Sequence, residues 1–178
     1  MLNHQRVIGN FDYQRVEMRQ KLPKQAEVQL LVNAVMHWVE AELKKNGHFH
    51  PAAAWLVRGA IAPELRTLDQ PDGLTVPSVQ QQESILLAAE LRPRWQREEL
   101  AAAILATPVL YGRSGSQERS LAVRLHAEAH DGYCADILMP YRIRKSGRWR
   151  GPSGNRVHFS HPVAQESDSR FNDSPSPA

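Results

Sequence analysis

The stretch from Ser120 to Arg144, SLAVRLHAEAHDGYCADILMPYRIR, constrains this chain more than any other, because apolar residues recur at every second position on both sides of a turn signal. On the first arm Leu121, Val123, Leu125, Ala127 and Ala129 share one face, opposite Ser120, Arg124, His126 and Glu128. On the second arm Tyr133, Ala135, Ile137, Met139, Tyr141 and Ile143 face away from Cys134, Asp136, Leu138, Pro140, Arg142 and Arg144. A two-residue period belongs to a strand, so the two arms predict a β-hairpin.

The turn sets the register. A two-residue Asp131-Gly132 turn pairs His130 with Tyr133 and places Ala127 against Asp136, mixing apolar with polar residues along the ladder. A three-residue loop, His130-Asp131-Gly132, with Gly132 in the left-handed region, instead pairs Ala129 with Tyr133, Leu125 with Ile137 and Val123 with Met139. The opposite face then sets Glu128 against Cys134 and His126 against Asp136.

Around the hairpin the chain alternates helical and extended patterns. From Lys24 to Asn46, Val28, Leu31, Val35, Trp38, Val39 and Leu43 recur at helical spacing, with Lys44 and Lys45 in the last turn and Gly47 just beyond. Ala52 to Val57 reads as a buried strand, Arg58-Gly59 as a tight turn, and Ala60 to Leu65 as a return strand that Pro63 confines to a sheet edge. Ser78 is placed as the N-cap of a second helix to about Leu91, with Val79, Ile85, Leu86 and Ala89 inward and Pro93 as its stop. A strand is expected from about Ala102 to Tyr111, and a short edge strand within Arg156 to Val163. This order predicts an α+β fold, an antiparallel sheet of five to six strands with two main helices packed on one face. Residues 1–23 read as a flexible N-terminal arm, 24–164 as a single α+β domain and 165–178 as a disordered C-terminal tail.

Composition bounds the function. With 178 residues and 42% hydrophobic content the chain can bury one core, and no apolar run is long enough for a membrane span. The opening MLNHQRVIGNFDYQR lacks the apolar centre of a secretory signal, and the single Cys134 forms no internal disulfide, so a cytoplasmic setting is expected. Net charge is only +3, so any affinity for anions must come from local clustering.

The strongest cluster is RIRKSGRWRGPSGNR, which holds Arg142, Arg144, Lys145, Arg148, Trp149, Arg150 and Arg156 with no acidic residue. Arginines beside an aromatic suit carboxylates, or phosphates with a stacked base, and these seven residues are the expected binding site. His126 opposite Asp136, with Cys134 diagonally near, has the residue types of a Cys-His-Asp set. An open hairpin face favours a solvated charge pair instead, and Glu128 facing Cys134 would raise the thiol pKa. His48-x-His50 offers two imidazoles, with His37 or His130 as a third ligand, but lacks the spacing of structural zinc or of a zinc hydrolase. No phosphate loop or serine elbow is present, and neither a metal nor a cofactor is expected.

The segments HWVEAELKKNGHFHPAAAWL and AHDGYCADILMPYR resemble small bacterial proteins of uncharacterised function, which pair a helix, short loop and Phe-x-Pro opening with an HxDGY...PYR-like hairpin. The resemblance covers roughly residues 30 to 145 and implies no activity. The element order is also similar to roadblock- and longin-like domains, binding and dimerising modules, by architecture alone. The expected function is therefore non-enzymatic binding of another protein, in the manner of an adaptor or inhibitor. Nucleic-acid binding through Arg142 to Arg156 is the alternative, and hydrolase or transferase chemistry with His126, Asp136 and Cys134 a third reading. A homodimer through a sheet edge is a further partner expectation.

Overall fold

The computed structural model describes residues 26–68, 77–111, 120–145 and 155–172. Helix α1 (Ala26–Asn46) buries Val28, Leu31, Val32, Val35, Met36, Val39 and Leu43 along one stripe. Glu40 and Lys44, one turn apart and both buried, pair with each other at the stripe's edge. Gly47, at φ +75°, closes the helix by donating its N–H to the Leu43 carbonyl at 2.9 Å.

The strands are β1 (Ala52–Val57), β2 (Glu64–Thr67), β3 (Leu100–Tyr111), β4 (Ser120–Ala129), β5 (Cys134–Lys145), β6 (Asn155–Phe159) and β7 (Val163–Glu166). They form one antiparallel sheet in the order β2-β1-β3-β4-β5-β6, with β7 also paired to β5. The β6 register sets Tyr141 against Phe159, and the β7 register, shifted by one residue, sets Leu138 against Val163. The two are thus pieces of one edge strand broken at residues 160–162, where the expected edge strand contains Pro162. At the other edge β2 begins just after Pro63, four residues later than expected, because proline cannot donate to the ladder.

The central hairpin has the register its pattern requires. Val123 pairs with Met139, Leu125 with Ile137, His126 with Asp136 and Glu128 with Cys134. The Ala129 N–H donates to the Tyr133 carbonyl at 2.9 Å, and Gly132, at φ +92°, makes the left-handed step.

An α+β fold built on an antiparallel sheet is what the sequence predicts, but the helices do not share a face. Helix α1 packs on the face of Ala54, Ile104, Ala127 and Ile137. The opposite face presents Ala53, Trp55, Ala103 and Leu105 to Leu86, Leu87, Leu91 and Trp95. Strands β1 and β3 are apolar on both sides, so each side needs a cover, and their runs of alanine let both covers approach closely.

That second cover is α2 (Val79–Leu86), a π-helical turn (Leu87–Leu91) and α3 (Arg92–Gln96). Ser78 caps α2 as expected, in a capping box with Gln81. Pro93 does not stop the path. The π turn resets it, the Arg92 N–H reaching the Leu87 carbonyl, and Pro93 falls in the first turn of α3, where its missing N–H is not required. The inward residues are Gln82, Glu83, Leu86, Leu87, Leu91 and Trp95, while Val79, Ile85 and Ala89 face solvent.

The tail expected to be disordered from residue 165 is structured as far as Asn172. After β7 it crosses the second face and buries Phe171 completely. Its polar composition conceals one aromatic anchor and a set of backbone donors that meet a buried carboxylate. Residues 173–178 and the N-terminal arm 1–23 lie outside the described residues. No described helix is long and apolar enough to cross a membrane.

Candidate functional site

Strand alternation sends His126 and Glu128 of β4, and Cys134 and Asp136 of β5, to the second face. There His126 is fully buried. Its Nδ1 lies 2.9 Å from Asp136 Oδ1 and its Nε2 lies 2.8 Å from Glu128 Oε1. Glu128 in turn accepts hydrogen bonds from the Arg170 N–H at 2.6 Å, the Phe171 N–H at 3.1 Å and the Ser169 hydroxyl at 2.7 Å. Phe171 sets its ring edge-on to His126, with centroids 5.3 Å apart, and seals the imidazole. A second carboxylate, Glu83, joins this cover to the sheet by accepting from Arg124 at 2.8 Å and from Arg170 at 2.5 Å.

The electrostatics follow from these contacts. Burial alone would lower the His126 pKa, but the hydrogen bonds and charges of Asp136 and Glu128 outweigh it and raise it. Burial would raise Glu128, yet donors from His126, Ser169 and Arg170 hold it below the usual carboxylate value. The His126 hydrogen bond does the same for Asp136. The Cys134 thiol moves the other way: burial, with Glu128, Asp136 and Asp168 nearby, pushes it up against one hydrogen bond from Ser167.

The solvated charge pair expected on this face is therefore corrected to a buried clamp, because the C-terminal segment covers it. Cys134, His126 and Asp136 do come together, with Sγ 4.0 Å from Nε2. The order is that of a nucleophile, base and orienting acid, but Glu128 holds the nitrogen that a base would turn toward the sulfur. A raised thiol pKa is also the reverse of what activates cysteine.

A cavity of about 350 Å³ opens beside the clamp, lined by Trp95, Glu98, Glu128, His130, Tyr133, Cys134 and Ser169 among others. Trp95 stacks on His130 with centroids 4.3 Å apart. The Tyr133 hydroxyl is buried without a hydrogen-bond partner, and burial together with Cys134 pushes its pKa up to about 12. Glu98, at φ +56°, holds a left-handed conformation uncommon for a residue with a side chain, at the cavity wall.

The arginine cluster lies at the other end of β5. Arg142 and Arg144 of β5 and Arg156 of β6 are exposed, with Arg144 directly opposite Arg156 and Arg142 opposite His158. None of the three arginines has an ion pair among the described residues. Lys145 is the last residue of β5, and Arg148, Trp149 and Arg150 lie outside the described residues.

The His48 and His50 rings meet edge to face at 5.4 Å, and His48 Nδ1 contacts the Asn46 carbonyl at 3.0 Å. Among the described residues the one cluster of metal-ligand type is elsewhere, at His126, Glu128 and Cys134. Sequence reasoning missed Glu128 as the anchor of the clamp, and Glu83, Ser169 and Phe171 altogether. The available signals were Glu128 two residues from His126 on one face and a lone phenylalanine in a polar tail. Comparisons with protein-family models, curated proteins and solved structures give no match, so the functional reading rests on this geometry.

Proposed function

We propose that this chain is a non-enzymatic binding domain that docks an acidic protein surface on the face of Arg142, Arg144 and Arg156. The basic surface continues in sequence through Lys145, Arg148, Trp149 and Arg150. One observation carries the reading: Arg144 and Arg156 sit directly across from each other on adjacent strands, exposed. Like charges in that position destabilise a sheet slightly, so an anion docked between them would be favoured by relieving their repulsion. Guanidinium groups present planar paired donors that match carboxylates. A binding role also agrees with the closed state of the Cys134–His126–Asp136 set, and a cytoplasmic setting with the free Cys134. Pairing with a second copy along β2 is the weaker partner reading, since a four-residue edge strand preceded by Pro63 is poorly built for it.

Nucleic acid is the second reading, favoured by Trp149 among arginines, a residue set able to stack a base. Fluorescence anisotropy with a glutamate-rich peptide and with a single-stranded oligonucleotide of equal charge separates the two. The peptide is expected to bind more tightly, and Arg142→Ala, Arg144→Ala and Arg156→Ala together to weaken it at least tenfold. Tighter binding of the oligonucleotide, with a steep salt dependence, would replace the first reading by the second. Binding of neither at low salt rejects both.

A further inference from the structure

We propose that His126 Nε2, Glu128 Oε1 and Cys134 Sγ form a binding site for one divalent cation of the zinc class. The candidate ligand atoms of these residues lie within 4.8 Å of one another, on neighbouring positions of β4 and β5. Zinc bonds of about 2.0–2.3 Å in a tetrahedron separate adjacent ligand atoms by roughly 3.2–3.7 Å. The 2.8 Å between Nε2 and Oε1 must open slightly, and the 4.0 Å between Nε2 and Sγ must close slightly. The remaining separation, from the carboxylate to Sγ, lies within 4.8 Å and must close by up to about 1 Å.

Three further features point to a metal. The Asp136 carboxylate on Nδ1 is the partner that fixes the tautomer of a metal-binding imidazole and strengthens it as a ligand. Thiolate with imidazole selects zinc-class ions over magnesium or calcium. Charge balance is the third. Both ring nitrogens lie at hydrogen-bond distance from a carboxylate oxygen, so both carry protons in the metal-free protein. An incoming ion displaces the Nε2 proton and the thiol proton, two positive charges replacing two. The buried cluster keeps its net charge, and no new charge has to be buried.

Access and anchoring are also present. Glu128 and Cys134 line the 350 Å³ cavity, so solvent reaches the ion's remaining coordination position. Hydrogen bonds from Ser169, Arg170 and Phe171 orient the Glu128 carboxylate toward His126 and Cys134. The site is independent of the arginine face, and either proposal stands if the other fails.

The test is titration of chelator-treated protein with Zn²⁺ by calorimetry in buffers of different ionisation enthalpy, and with Co²⁺ by absorption. One ion per chain, release of two protons and a near-ultraviolet thiolate-to-cobalt band are expected. Cys134→Ser should remove the band. Asp136→Asn should weaken binding by roughly 10–100-fold while leaving the band, and His48→Gln with His50→Gln should change nothing. Circular dichroism confirms that each variant is folded, and Cys134→Ser, the smallest change, keeps the test decisive if Asp136→Asn is not. Absence of stoichiometric binding, a band that survives in Cys134→Ser, or binding lost in the His48 and His50 variant would overturn the proposal.

Discussion

Cys134 and Asp136 lie at one end of β5 and Arg142 and Arg144 at the other, all on the same face of the sheet, yet the two ends meet opposite conditions. At the first end residues 167–172 close over the strand, and the charges beneath them are paired: Asp136 and Glu128 with His126, Arg124 and Arg170 with Glu83. At the second, arginine faces arginine across β5 and β6 in solvent. Burial demands that a charge be paired, whereas water tolerates unpaired charge at little expense. The covered end is therefore an internal joint, and the bare end has charge left for a partner.

The largest expected effect breaks the covered end. Glu128→Ala leaves His126 without one carboxylate and orphans the Ser169, Arg170 and Phe171 donors. It should destabilise the fold by about 3–5 kcal/mol in denaturant titration. A loss below about 1 kcal/mol would mean that the C-terminal segment does not depend on this carboxylate.

Acidity should produce a smaller change, and one confined to the same end. A raised His126 pKa gives a stabilising contribution complete below its ordinary value of 6.5 and lost as pH climbs through the higher folded value. The lowered pKa of Glu128 gives a contribution complete above 4.5 and lost as pH falls through the folded value, and Asp136 acts likewise above 3.8. In metal-free protein the denaturant midpoint should peak between these limits, at pH 4.5–6.5. His126→Gln should flatten the alkaline limb, and a wild-type midpoint that stays level up to pH 9 would contradict a charged imidazole in the clamp.

At the bare end the effect on stability should be smallest and opposite in sign. Arg144→Thr relieves the repulsion with Arg156 and should stabilise the protein by roughly 0.2–1 kcal/mol. The same change should weaken capture of an acidic peptide. Lower stability in Arg144→Thr would show that Arg144 has a partner within the chain, and the contrast between the two ends would fail.

Local pattern was enough for much of this fold. The hairpin register, with its three-residue loop, followed from alternation and one glycine, since a shift of one residue would have turned every apolar side chain outward. Helix α1 and its glycine cap followed from periodicity, and the Ser78 cap from side-chain chemistry. The Pro93 stop failed because a π turn, invisible in composition, moved the proline into a first turn. The disordered tail failed because its backbone donors meet Glu128, some forty residues earlier in the chain, a contact that local composition does not show.

The candidate site divides in the same way. The sequence by itself paired His126 with Asp136 and Glu128 with Cys134, and gathered the arginines near the end of β5, because strand geometry fixes neighbours on a ladder. Only the tertiary structure decided that the first group is buried, bridged through Glu128 and set beside a cavity, while Arg142, Arg144 and Arg156 are left in water. The face of a strand is a local property, but its cover comes from segments far away in sequence, here α2, α3 and the chain around Phe171. Dielectric, pKa and ligand geometry all depend on that cover.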